Sequence, residues 1–548
     1  MHRALLIQEI TCRICSLAND LSSLAMLART CKDTHEPAIC VLWEEVQDLA
    51  PLVQCFPHDS WSVVETELTF TRPLASEDWD RFLHYSRHIR NLRLRNPTRA
   101  SRYRVHSSVI STLDASRPEP VLFPCVHIFE WDAEMLGYEL LDTCLGFLGA
   151  QVRYIHLGHP HLCPDRPECG LRAGLSAIAH QFPSLEHVYL GHSFADVYRG
   201  PPPISEALLL PERLSALRTF CIYGFPIAEA VVYALATLPS LEILKVTLPF
   251  DSTWSGTFPS KAFSTVKQVF LRMTAPDYIS FSAVAKFPSV GEAYLEVIDV
   301  PKQSTTNGFY EAIRRQFSPR SLLQLEVSPA GTFPYAVVAF IGSVVRPTHL
   351  EPLFDFFRLE SLTLSMACRY SLDTAFYANA SRAFPQLCTF KIADCYWCVN
   401  DTLPTMTALV PFALHPNLSD LFVPFDGTQP VSLSGIKDAL PPGTGRSHVT
   451  SLGVGYSPLT VSHPQLVAAY LSRLFPRLGG QEGRSLMWGE CDETAEGHQL
   501  QERWKKVREL LTCFYAIRED ERDITARELT QSQETARLRC KGSTADHH

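Results

Sequence analysis

The chain lacks a surplus of positive charge. Its 49 Lys and Arg residues are outnumbered by 58 Asp and Glu, for a formal net charge of -9, so nothing draws it as a whole to a phosphate backbone or an anionic lipid surface. No nucleic-acid or membrane partner is therefore expected. A long apolar run is also missing. The longest uncharged stretch, 327–345, is broken by Pro329, Gly331 and Pro334 and leaves well under the ~20 apolar residues of a membrane span; a buried repeat helix is expected there instead. Glu9 interrupts the apolar start Leu5-Leu6-Ile7, so no secretory leader is expected. Neither a G-x-S-x-G elbow nor an H-E-x-x-H pair occurs, which removes two common hydrolase signatures.

Cysteine is not scarce. Seventeen are scattered along 548 residues, and without an export signal they read as reduced thiols of a cytoplasmic or nuclear protein. Hydrophobic residues make up 46% and charged residues 20%, a composition that folds. At this length one ordinary core is not enough, and the chain must be several domains or an elongated array.

An array is what the sequence supports. The phrase apolar-x-x-apolar-x-apolar recurs, five times behind a proline: at Phe182-Pro183-Ser184-Leu185, Leu238-Pro239-Ser240-Leu241, Phe287-Pro288-Ser289-Val290, Phe384-Pro385-Gln386-Leu387 and His415-Pro416-Asn417-Leu418. Copies without the proline start at Ile89, Val126, Val152, Leu217, Val266, Leu322, Leu359 and Val449, and successive copies are 24 to 37 residues apart. Between them, stretches such as 171–182, 227–238, 309–317 and 372–384 carry apolar residues at three- and four-residue steps, the period of a helix. A helix stops before proline, the chain turns, and alternate residues of a short strand point inward. No such unit closes its own core, so the units must stack. An open-sheet α/β enzyme is the competing reading, but thirteen strand phrases exceed the ~10 strands such sheets usually hold.

The phrase resembles the L-x-x-L-x-L portion of the leucine-rich repeat, over roughly residues 63 to 478. The asparagine that usually follows the strand is absent, as in Gly191-His192, Thr247-Leu248 and Ala393-Asp394. The turn carbonyls and amides then need other partners, and an irregular solenoid is expected.

Ahead of the repeats stand three helical patterns: Ile7, Ile10, Ile14, Leu17; Leu21, Leu24, Leu27, Cys31; and Ala38, Val41, Leu42, Leu49. Asp20 and Ser22 suit the cap of the second, and Pro37 suits the first position of the third. Leu5-Leu6-Ile7-Gln8-Glu9-Ile10, Leu24-Ala25-Met26-Leu27-Ala28-Arg29-Thr30-Cys31 and Val41-Leu42-Trp43 resemble the opening, centre and close of an F-box, most of all those of mushroom-forming fungi, with Gln8 where the family places proline. That resemblance implies a substrate-recognition subunit of a cullin-type ubiquitin ligase, with Leu6, Ile7, Ile10, Leu24, Leu27 and Trp43 binding a Skp-type adaptor and the repeats binding a protein target. The same positions also suit a plain three-helix core, in which case the module caps the solenoid of a repeat scaffold without ligase function.

The expected fold is α/β: a three-helix F-box-like module at 1–50, a linker at 51–62, an irregular leucine-rich-repeat solenoid at 63–480 with a parallel sheet on one face and helices on the other, a capping helix region at 481–523 and a flexible tail at 524–548. Nothing in the sequence assigns a catalytic residue, a cofactor or a metal, and the chain does not read as an enzyme. Leu440-Pro441-Pro442-Gly443-Thr444-Gly445-Arg446-Ser447 resembles a phosphate loop, but Leu440 replaces its first glycine and Arg446 its lysine, and a strand phrase follows. His156, His159, His161 and Cys163 match no zinc spacing, Cys12 and Cys15 lack a second pair, and Cys395 and Cys398 lack a following helix start. Tyr189, Tyr223, Tyr294 and Trp397 are candidate anchors, since aromatics dominate interfaces.

Overall fold

In a computed structural model of the chain, each of the thirteen phrases becomes a strand that begins two residues after the first apolar residue of the phrase. That first residue, from Ile89 to Val449, is fully buried in every copy, as are the fourth and sixth. The structure describes residues 7–18, 20–94, 103–132, 139–158, 168–191, 214–254, 256–330, 343–392, 403–429, 447–455, 457–459, 464–480, 486–488 and 495–543. The chain divides into two compact units, Met1–Arg272 and Met273–His548.

The first unit begins with helices α1 (Gln8–Leu17), α2 (Leu21–Ala28) and α3 (Lys32–Leu42). Asp20 caps α2 as expected, its carboxylate accepting from the Ser22 and Ser23 amides at 3.1 and 2.9 Å. Gln8 is the first residue of α1, a position that tolerates proline because its N–H has no intrahelical partner. Pro37 does not start α3. It lies inside a helix that already begins at Lys32, where the Thr34 hydroxyl donates back to the Leu27 and Cys31 carbonyls at 3.0 and 3.2 Å and Asp33 favours the first turn.

Then follow β1 (Glu45–Val46), α4 (Ala50–Val53), β2 (Trp61–Val64), β3 (Glu67–Phe70), α5 (Asp80–Ser86), β4 (Asn91–Leu94), β5 (Arg104–Val105), β6 (Ile128–Asp132), β7 (Tyr154–Gly158), β8 (His187–Gly191), β9 (Thr219–Pro226), β10 (Ile243–Thr247) and β11 (Gln268–Met273). Strands β1, β4 and β6 to β11 pair in parallel, each beside the next; β2, β3 and β5 form a separate small sheet. Two expected boundaries are corrected here. The ladder starts inside the segment 1–50, because the Glu44 carbonyl accepts from both Arg90 and Asn91 amides at 2.9 Å and β1 gives β4 the neighbour its backbone requires. Residues 51–62 are not a linker: Leu52, Val53 and Phe56 are buried, and the Phe56 ring packs on Phe70, Trp79 and Phe82 with centroids 5.1 to 5.3 Å apart.

The second unit has β12 (Glu292–Val297), β13 (Gln324–Pro329), β14 (Val344–Val345), β15 (Ser361–Leu364), β16 (Arg369–Tyr370), β17 (Thr389–Ile392), β18 (Asp420–Phe422), β19 (Ser451–Gly455) and β20 (Leu486–Trp488). Strands β12, β13, β15 and β17 to β20 run parallel in sequence order, and β14 and β16 pair in parallel in a separate two-stranded sheet. Helices fall where the apolar periodicity places them: Glu168–Gln181, Glu229–Leu235, Gln303–Gln316 and Thr374–Ala383. The expected helix within 327–345 falls largely outside the described residues.

Main chain supplies what an asparagine ladder would have done. One carbonyl per repeat accepts two consecutive amides of the next: Arg90 from His127 and Ile128, His127 from Arg153 and Tyr154, Arg153 from Glu186 and His187, all at 2.8 to 3.1 Å. At strand exits the partners are again backbone, as in Leu248 N–H to the Arg272 carbonyl at 2.8 Å and Val423 N–H to that of Gly453 at 3.0 Å. Gly453 itself has a steric reason, since a Cβ there would sit 1.8 Å from a Phe422 ring carbon.

The last helix runs Ala495–Ser543, past the end of the capping helix region expected at 481–523, and the segment 524–543, expected as a flexible tail, is helical. Ala, Glu, Gln, Leu and Arg fill it and no proline or glycine occurs between Gly497 and Gly542, so helix propensity continues where burial stops. Leu500, Trp504, Val507 and Leu511 are buried. The Trp504 indole donates to the Ser457 carbonyl at 2.9 Å, Arg508 lies over the Trp488 ring of β20, and Gly479, at φ +106°, lets the Leu511 backbone come close. The helix closes the end of the second unit, as an open terminal repeat requires.

Candidate functional site

Among the described residues, the packing leaves two surfaces open. The first is on the three-helix module. Its core is small: Cys15, Leu24, Ala28, Ala38 and Ile39, with Leu27, Val41, Leu42, Trp43 and Tyr85 packed partly against it. Of α1 only Thr11 and Cys15 are buried. The apolar row Ile7, Ile10, Ile14 and Leu17, spaced 3, 4 and 3 residues apart along one helical face, is 39% to 63% exposed, and Leu21 and Met26 of α2 are exposed beside it in sequence. Exposed apolar side chains scattered singly are ordinary, but a contiguous row marks an interaction surface.

The residues that the F-box resemblance singles out separate into three groups. Ile7 and Ile10 stand in the exposed row. Leu24 is buried and Leu27 partly so, because the inner stripe of α2 is the one that faces α3. Trp43 is half-buried and stacks on Tyr85, with ring centroids 4.6 Å apart and planes at 15°, so its large surface is used at the junction with the repeats. Leu6 lies outside the described residues. Ile14 and Leu17 were visible in the sequence as part of the same helical stripe, and it is their exposure that the sequence did not disclose.

The second surface is the uncovered face of the parallel strands. Parallel sheets are usually covered on both sides, and here alternate residues on one side only are buried, as in β7, where Ile155 and Leu157 are inside and Tyr154, His156 and Gly158 half-exposed. The connecting helices, with Val231, Val232 and Leu235 or Phe309 and Ile313 turned inward, therefore cover the other side. In the first unit the register sets Tyr154 beside His187 and His156 beside Tyr189. The rings touch: Tyr154 to Tyr189 at 5.2 Å, Tyr154 to His187 at 6.1 Å, His156 to Tyr189 at 6.2 Å. His187 is held by a hydrogen bond between Nδ1 and the Thr219 hydroxyl at 3.0 Å. The second unit is different. Glu292, Tyr294 and Glu296 of β12 adjoin Gln324, Glu326 and Ser328 of β13, and the Tyr294 hydroxyl donates to the Glu292 carboxylate at 3.2 Å. One face is aromatic, the other acidic.

Tyr189 and Tyr294 thus lie on uncovered strand faces; the Tyr223 side chain and Trp397 lie outside the described residues. So do His159, His161 and Cys163, most of the loop 440–447, and Cys395 and Cys398. Cys15 is buried and Cys12 half-buried, both as unpaired thiols.

No protein-family model matches the chain, and no curated protein matches it. Solved structures that resemble it include an internalin of Listeria monocytogenes, 12% identical, at a TM-score of 0.23, over 51% of this chain and 76% of that one. By its strand register and one-sided burial the chain is α/β, with parallel strands and connecting helices in the manner of leucine-rich repeats. No helix among the described residues is long and apolar enough to cross a membrane.

Proposed function

We propose that the chain is a substrate-recognition subunit of a cullin-type ubiquitin ligase. Its three-helix module docks a Skp-type adaptor, its uncovered strand faces hold a protein target, and the transfer chemistry belongs to partner enzymes. The observation that carries this reading is the exposed row Ile7, Ile10, Ile14 and Leu17 on a helix whose opposite side is already packed. An amphipathic helix laid against a partner's groove is a recurring docking mode. The Tyr154, His187 and Tyr189 cluster supplies rigid aromatic anchors for a target.

A second reading rests on a different observation. Trp43 stacks on Tyr85 and β1 extends the sheet, so the module also caps the first unit, and a repeat scaffold without ligase function needs nothing more. The two readings part in one experiment: capture of the full chain by an immobilised Skp-type adaptor, with and without Ile10→Asp and Ile14→Asp. Ligase membership requires capture of the parent chain and its loss in the variants at unchanged melting temperature. Absence of capture leaves the scaffold reading standing.

A further inference from the structure

Where the module meets the first repeat helix, five donor side chains gather that the docking surface does not use. Helix α3 presents Glu36 and Cys40, four residues and one turn apart. His84 on α5 and His88 just past its end form a second pair at the same spacing. His88 lies between the two helices, its Nδ1 3.4 Å from the Cys40 sulfur and its Nε2 3.4 Å from a Glu36 carboxylate oxygen. The His84 and His88 rings stand edge-to-face, 5.7 Å apart. Donor atoms of Glu36, Cys40 and His88 all fall within 4.8 Å of one another, and so do those of His35, Glu36 and His84.

These separations have a chemical meaning. Two ligands on a tetrahedron with bonds of ~2.1 Å lie about 3.4 Å apart; His88 keeps that distance to Cys40 through Nδ1 and to Glu36 through Nε2, and one of the two ring nitrogens can face a single ion. The His88 side chain is 11% exposed, and its buried Nε2 has the Glu36 carboxylate at 3.4 Å but makes no hydrogen bond. A buried imidazole nitrogen without a hydrogen bond is costly unless a charged group or a metal meets it. Nearby, His35 Nδ1 is 2.7 Å from the Ala28 carbonyl, which can only accept. That bond ties His35 to α2 and leaves it outside the set of four.

We propose that Glu36, Cys40, His84 and His88 form a zinc-binding site that clamps α3 to α5. A thiolate, two imidazoles and a carboxylate are the donor types zinc takes, and softer or harder ions favour other sets. The two triads share Glu36, and closing the four on one ion takes rotation of the half-exposed Glu36 side chain and of the two rings. Binding releases the Cys40 proton, since the ligand is the thiolate. The site ties the docking module to the repeats, so that the angle at which the module is presented is set by the ion.

The test uses the full chain, stripped with a chelator and titrated with zinc or cobalt(II). One tightly bound ion per chain is expected, with a rise in melting temperature. Cobalt should give a thiolate charge-transfer band that Cys40→Ser abolishes, and His88→Ala or Glu36→Gln should weaken binding at least tenfold, as loss of a ligand does. Should His88→Ala not fold, Glu36→Gln carries the measurement, because that side chain is half exposed. No stoichiometric uptake by the parent chain, or uptake and a cobalt spectrum unchanged in Cys40→Ser and Glu36→Gln, overturns the proposal.

Discussion

The helix at the start and the helix at the end carry the same kind of stripe and meet opposite fates. Ile7, Ile10, Ile14 and Leu17 are spaced as a helix face demands, and so are Leu500, Trp504, Val507 and Leu511. The second set is buried against the last repeat, chiefly its helix Pro464–Leu474; the first is exposed. An apolar stripe states that a surface is to be covered, and only the packing states by what. In the last helix the cover is the chain's own final repeat, and its polar handle, the Trp504 indole, reaches a backbone carbonyl. In α1 the side turned inward holds only Thr11 and Cys15, and the larger side chains face away from the core.

The comparison can be broken by substitution, and the largest effect belongs to the buried helix. Trp504→Ala removes a fully buried indole and leaves the Ser457 carbonyl without its donor, so the second unit should lose about 3–5 kcal/mol, read as a fall in its denaturation midpoint. A change as small as that of a surface residue would mean that the helix does not close the repeats. Leu24→Ala in the module core should follow, at about 2–4 kcal/mol, read from the melting of the first unit. Asp20→Ala comes next and is smaller. It removes three bonds to Ser22 and Ser23, and hydrogen exchange should quicken at the start of α2. Those bonds hold the Asp20 pKa below the ordinary carboxylate value. The folded form is therefore the weaker base; the cap's contribution is full above the ordinary value and fades as pH falls through the lowered one. Protection of α2 should decline in that acid range and stay flat near neutrality.

How far the sequence discloses all this depends on which residues packing constrains. The strands were legible because each phrase places three residues in the core at positions 1, 4 and 6, and a one-residue slip would expose them all. Helix ends were legible where proline follows, as at Phe182 and Phe384. Residues 51–62 were not, because the partners of Phe56, namely Trp79 and Phe82, stand more than twenty residues on. The length of the final helix was missed for the opposite reason: beyond Phe514 it buries little, so no periodic signal accompanies the propensity. On the uncovered strand faces, alternate residues answer to no core, and nothing in the phrase foretells Tyr154 beside His187 or Glu292 beside Gln324. The Glu36, Cys40, His84 and His88 cluster is likewise assembled from pairs 44 residues apart, a spacing that matches no linear metal signature.

The smallest expected change in stability is the one that decides the comparison. Ile10→Ser and Ile14→Ser alter side chains 39% and 45% exposed, and each should shift the first unit by no more than about 0.5 kcal/mol, as surface positions do. If α1 is a face waiting for a partner, these near-silent changes abolish adaptor capture, while Trp504→Ala, with the larger cost in stability, leaves capture by the intact module unchanged. If α1 instead belongs to the fold as the last helix does, its serine variants should melt early, by the margin of a buried isoleucine. Stability and capture then fall together, and the contrast between the two helices disappears.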